Sequence, residues 1–174
     1  MKNETIKCIL SRRSVRSFSD RSISREDLGL IAEAARLAPS AKNSQLWKFT
    51  VLQSKELMNR LSSEIAVCLS RGDDYDFYSP NALLIASCDR EYEYSREDCA
   101  CALENAFLAA HSLGIGSVWI NQLFGICGEP SIRKILDDLK IPSSHDVYGM
   151  AALGYPDAEI LPVDKKTDNI EFIL

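Results

Sequence analysis

Two short polar stretches hold the residues best suited to chemistry. The first is Arg12-Arg13-Ser14-Val15-Arg16. Guanidinium forks match phosphate oxygens, and a hydroxyl adds a short hydrogen bond, so this run makes an anion site on its own terms. The second is Pro39-Ser40-Ala41-Lys42-Asn43-Ser44-Gln45-Leu46-Trp47. Asn43 and Gln45 each offer a donor and an acceptor. That suits the edge of a heteroaromatic ring, where carbonyls and N–H groups alternate. Taken alone, the first stretch also reads as a solvated basic turn and the second as a polar turn closing a helix. Together they read as two loops facing one planar, phosphate-bearing cofactor, because loops held by rigid elements are where binding groups sit.

No other group is selected as strongly. Trp47 and Trp119 are large planar surfaces near strand ends, with core packing as their default role. Gly114 and Gly116 follow a helical pattern and precede a strand, the reverse of the dinucleotide-binding order, so helix termination explains them. The chain has no G-x-x-x-x-G-K, no H-E-x-x-H and no G-x-S-x-G. The six cysteines, Cys8, Cys68, Cys88, Cys99, Cys101 and Cys127, form no C-x-x-C, and Cys99-x-Cys101 has the wrong spacing for a zinc knuckle. They read as reduced, buried thiols of a cytoplasmic protein. His111 and His145 lie in no metal-ligand pattern. The expectation is no metal site and no catalytic side chain.

The elements that must position these loops follow from periodicity. Ile6, Ile9 and Leu10 predict a short helix ending at the arginines. Ser24-x-x-Asp27 resembles a capping box with a shorter acid, and Leu28, Ile31, Ala32 and Ala35 continue a helix to the Pro39 stop. Strands are expected over 47–52, 82–88, 117–120 and 147–153, with helices over 55–70, 95–113 and 130–139. Residues 72–80 read as a loop. Between Cys99 and Leu113 only Glu104, Asn105, His111 and Ser112 are polar, which marks a helix buried in a core or at a subunit interface. Asn-Ile-Glu-Phe-Ile-Leu at 169–174 predicts a final strand after an extended arm. Interleaved helices and strands make the class α/β or α+β.

The 174 residues, 46% hydrophobic and 26% charged, fit one domain, with about 157–174 as a C-terminal arm. The net charge of −5 argues against nucleic-acid or anionic-membrane partners. No apolar run reaches transmembrane length, and none serves as a secretory signal. A cytoplasmic location is the expectation.

Read in order, the motifs resemble a family. Arg-Arg-Ser-Val-Arg-Ser-Phe at 12–18, Ala-Ala-Arg-Leu-Ala-Pro-Ser-Ala-Lys-Asn-Ser-Gln-Leu-Trp at 34–47, Glu-Asn-Ala-Phe-Leu-Ala-Ala at 104–110, Leu-Gly-Ile-Gly-Ser-Val-Trp-Ile at 113–120 and Leu-Gly-Tyr-Pro at 153–156 are similar to those of the nitroreductase superfamily of FMN-dependent oxidoreductases. The resemblance implies an α+β fold with a central, mostly antiparallel sheet flanked by helices, in a domain-swapped homodimer. It implies FMN as cofactor, with NADH or NADPH as donor. Arg12, Arg13, Ser14 and Arg16 match the residues for the FMN phosphate, ribityl chain and pyrimidine edge. Pro39, Ser40 and Asn43 match the loop that the other subunit lays against the flavin. Trp119, Ile120, Asn121 and Gln122 match the strand end beside the isoalloxazine. Lys165 or Lys166 matches a late basic residue near the phosphate. Leu46 stands where many members have Pro, and Asn121-Gln122 where some have Glu-Gly, which bears on substrate preference. The implied activity is two-electron transfer to a small acceptor (nitroaromatic, quinone or activated alkene) by a ping-pong mechanism. A non-catalytic flavin carrier, a small interaction module, and a dehalogenating or flavin-consuming specialist are the alternatives.

Overall fold

The computed structural model describes residues 3–72, 74–161, 163, 165–166 and 168–173. Four strands form one sheet: β1 (Trp47–Leu52), β2 (Ala82–Asp89), β3 (Gly116–Ile120) and β4 (His145–Gly154), in the order β1-β2-β4-β3. Every neighbouring pair is antiparallel. Among the described residues five α-helices accompany it: α1 (Glu4–Ser11), α2 (Arg25–Arg36), α3 (Lys55–Cys68), α4 (Ser95–Ser112) and α5 (Pro130–Asp138). The expected α+β class is the one observed.

The sheet is covered on both faces, so its central strands carry apolar residues at consecutive positions. In β2, Leu83 and Ile85 enter one core with residues of α3 and α5. Ala82, Leu84, Ala86 and Cys88 enter the other, with residues of α2 and α4. A bulge in the β2–β4 ladder lies between Ala86 and Ser87.

Helix starts follow the expected chemistry, with one difference. Ser24 accepts from the Asp27 amide at 3.0 Å, but its hydroxyl donates to Asp27 Oδ2 at 2.8 Å. The short aspartate side chain meets the cap hydroxyl, the hydrogen bond a capping-box glutamate would give to the cap amide. Asn3 caps α1 by accepting from the Ile6 amide at 2.9 Å.

Two expectations need correction. Residues 169–173 belong to no ladder within the chain, although β1 and β3 are edge strands, and Leu174 lies outside the described residues. The thiols are all free, but only Cys88, Cys99 and Cys127 are buried; Cys101 is exposed, on the outward side of α4. Its apolar neighbours placed it in a hydrophobic context without fixing which side of the helix it takes. Among the described residues, no helix is long and apolar enough to cross a membrane.

Gly116 shows how tightly the sheet edge is built. A Cβ there would lie 2.9 Å from both Cβ and Cγ2 of Val15, whereas one at Gly128 meets open space. Gly116→Ala should therefore cost about 1–3 kcal/mol of stability, and Gly128→Ala no more than about 0.5 kcal/mol. Urea unfolding of both variants checks the pair; equal losses would contradict the packing described.

Candidate functional site

The first helix stops at Arg12, whose backbone turns extended (φ −54°, ψ 135°). The chain then passes the edge of β3. The Val15 amide donates to the Ser117 carbonyl at 3.0 Å, and Ser14 forms a one-residue bridge with Ser117. Val15 is buried against Gly116, which leaves Ser14 and Arg16 exposed on either side of it. Extended backbone alternates its side chains, so one buried valine sets the direction of its polar neighbours. Three residues on, the Ser19 amide donates to the Tyr155 carbonyl at 2.9 Å and holds the far end.

Each basic group of the run has a distinct setting. Arg12 lies 3.7 Å from Glu104 of α4. Arg13 donates through Nη1 to the carbonyls of Leu10 (2.8 Å) and Arg12 (2.7 Å), closing the end of α1. Its Nε is buried without a partner among the described residues. Arg16 stands over the Tyr78 ring, 5.9 Å from its centre. These residues line a cavity of about 450 Å³, a volume in the range of small-ligand sites. The other wall comes from 158–161, Val163 and Lys165. Lys165 thus joins Arg12, Arg13, Ser14 and Arg16, while Lys166 does not line this cavity. Among the described residues, Glu159 is the one acid in the lining.

His111 reports the field of this cluster. Burial lowers its pKa, and the nearby Arg12 and Arg13 lower it further. The neutral ring hydrogen-bonds Ser11 through Nε2 at 2.7 Å.

The Pro39 loop stands apart. Pro39, Ser40 and Asn43 line none of the arginine cavity. The loop is fastened instead to the start of α4. The Ala41 amide donates to Asp98 Oδ1 at 2.8 Å, the Tyr92 hydroxyl donates to the Ala41 carbonyl at 2.9 Å, and Ser44 Oγ donates to that hydroxyl at 2.7 Å. Lys42, Asn43 and Gln45 take left-handed backbone angles without a glycine, which only a firmly held loop sustains. Gln45 donates to Asn43 Oδ1 at 2.9 Å, so the two amides expected to read a ring edge bond each other within this chain.

The buried anchor Asp98 was not visible in the sequence. Its neighbours on β2 and α4 are the buried Cys88 and Cys99, whose proximity pulls the Cys88 thiol down and, with burial, pushes the Cys99 thiol up. Asp98 follows two exposed charges, Arg96 and Glu97, and the sequence does not separate it from them.

The β3 end divides its residues between two surfaces. Ile120 is buried among the α3 and α5 side chains, so only its backbone is available to a ligand. Trp119 tilts against Phe107 of α4, with ring centres 5.9 Å apart, and stays 38% exposed. Gly149 makes room for it, since a Cβ there would lie 2.8 Å from the indole. Asn121 is exposed, and its amide donates to Gln122 Oε1 at 2.9 Å. Trp119 and Asn121 line a second cavity of about 230 Å³.

Comparisons with known proteins identify the family. The nitroreductase family model matches residues 9–155. A relative from Archaeoglobus fulgidus, provisionally named NADH dehydrogenase/NAD(P)H nitroreductase, is 38% identical over 163 residues, covering 90% of this chain and 87% of its own. A Bacillus subtilis protein named FMN reductase (NAD(P)H) is 27% identical over 175 residues, covering 88% of this chain and 66% of its own. The solved structure of a Bacteroides fragilis nitroreductase with bound FMN superposes with a TM-score of 0.92 at 35% identity, covering 99% of this chain and 100% of that one. A match that runs from α1 to the end of β4, on a shared fold, places this chain in the nitroreductase family.

Proposed function

We propose that this protein is an FMN-dependent oxidoreductase that passes two electrons from NADH or NADPH to a small acceptor, such as a nitroaromatic, a quinone or an activated alkene, by a ping-pong mechanism. The observation that carries the reading is the arginine cavity with the unpartnered Arg13 Nε. Three guanidinium groups, one ammonium and one hydroxyl converge where a phosphomonoester gains most from paired, charge-assisted bonds. The donor set therefore fits the phosphate end of FMN. The FMN-bound relative and the FMN reductase among the relatives support the same choice.

FMN supplies the redox chemistry when bound, and the protein's part is to hold and tune it. Arg12, Arg13, Ser14, Arg16 and Lys165 hold the phosphate and ribityl end, with Lys166 as the neighbouring cation. The β3 end, Trp119 to Gln122, borders the ring. Asn121 and Gln122 place side-chain amides there, which donate and accept but carry no charge. The absence of an assigned acid–base pair follows from this division of labour.

The site is completed in a homodimer. Pro39, Ser40 and Asn43 are held rigidly but away from their own chain's arginines, which suits a loop that serves a second copy. α1 buries no residue within the chain, and Ile6, Ile9 and Leu10 stand exposed on it. Phe172 and Ile173 of the arm are 76% and 95% exposed. Apolar surface of this extent calls for a cover, and an extended arm can pair with a neighbour's sheet edge.

The purified protein should be yellow and release FMN, not FAD, on heating. It should oxidise NADH or NADPH when a quinone is added; a yellow protein without turnover would be the carrier instead. Arg13→Ala should weaken FMN binding about ten-fold or more, because a hydrogen bond to a charged group contributes roughly 1.5–3 kcal/mol. Unchanged affinity would remove the arginines from the site. A phosphate in the cavity should also offset the arginine field and raise the His111 pKa, as NMR titration with and without FMN reads directly. Light scattering should give the mass of two chains, and deletion from Asn169 onward should cost dimer stability and FMN together. A one-chain mass with FMN still bound would refute the exchange.

A further inference from the structure

The second cavity, at the opposite end of β3 from the arginines, is built for a different ligand. It is lined by Arg96, Ala100, Trp119, Asn121, Phe124 and Tyr148. Its volume of about 230 Å³ falls below the range for drug-sized ligands, near 300 Å³ and above. It exceeds the roughly 150 Å³ that accommodates benzene. The cavity therefore admits one aromatic ring with a small substituent.

Its walls decide which ring. Trp119 and Phe124 keep aromatic surface open to solvent, at 38% and 43% exposure. The indole is held by Phe107 and by the space at Gly149. Among the described residues Arg96 is the one charged side chain in the lining, and its guanidinium carbon lies 4.3 Å from the centre of the Phe124 ring. Among the described residues it enters no ion pair, although Glu93 and Glu97 flank it in sequence. Arg90 nearby differs, being paired with Asp146 at 3.4 Å. A guanidinium stacked on an aromatic face keeps its N–H fork for a carboxylate.

We propose that this cavity is a subsite for a single-ring aromatic anion. Trp119 and Phe124 hold the ring, and Arg96 pairs its carboxylate. On the reductase reading above, on which this rests, the favoured acceptors are aromatic acids such as 4-nitrobenzoate. Its nitro group takes the hydride equivalent of one NAD(P)H and one proton, one N–O bond breaks, and a nitroso group and water result.

Two measurements on the purified flavoprotein test the subsite. Calorimetric titration should show benzoate binding that Arg96→Gln weakens about ten-fold, with Arg96→Lys between the two. In steady state, the ratio of kcat/KM for 4-nitrobenzoate over 4-nitrotoluene should fall about ten-fold in Arg96→Gln. Arg96 is exposed, and circular dichroism checks that the variants fold. Benzoate binding that ignores residue 96 overturns the subsite. Turnover of both nitro compounds at a ratio indifferent to residue 96 also overturns it and leaves the reductase reading standing. If no acceptor is reduced, the reductase reading falls, and the benzoate titration alone decides the subsite.

Discussion

The burial of Val15 against Gly116 is the contact on which the rest of the site depends. An arginine run following a helix is free to splay into solvent, where guanidinium groups repel one another and gain little from any partner. Val15 prevents this by entering the sheet edge, and its amide bonds the Ser117 carbonyl. The backbone is then fixed at one residue, and alternation fixes its neighbours. Arg13 adds a second constraint by spending part of its guanidinium on the end of α1. A cluster of like charges is thus held together by apolar packing and backbone bonds, neither of which depends on the ligand.

The same sheet carries the rest of the machinery. β3 presents Ser117 to the arginine run at one end and Trp119 and Asn121 to a separate cavity at the other. α4 supports both ends. Glu104 meets Arg12, His111 meets Ser11, and Phe107 carries the indole. At its start Asp98 holds the Pro39 loop. A long helix with one apolar flank on a sheet does little except pack; this one also links three polar features. That explains why an acid and a histidine interrupt its apolar run.

Much of this was legible in the sequence, and the exceptions have physical reasons. The strands and helices were readable because β2 is apolar at consecutive positions and α2 keeps helical spacing between clear stop signals. The arginine cavity was readable because its residues are contiguous. The late lysine was ambiguous, since adjacent residues on an irregular arm have no period to separate them; the cavity lining distinguishes Lys165 from Lys166. Ile120 shows the limit of matching by position, because strand alternation turns its side chain into the core. Asp98, Arg96 and Tyr78 were missed because their partners are distant in sequence. The C-terminal strand does not form within one chain, because β-propensity describes a segment that can pair, and 169–173 pairs with no strand among the described residues.

The central claim is that the arginine cavity recognises a phosphomonoester, and riboflavin, the same ring system without the phosphate, tests it most directly. Protein freed of its chromophore should bind FMN at least about a hundred-fold more tightly than riboflavin at low salt, because several charge-assisted bonds act together. Arg13→Ala should narrow that ratio by acting on FMN alone. Equal affinities for FMN and riboflavin in the unmutated protein would contradict the account, since the arginines would then hold no phosphate.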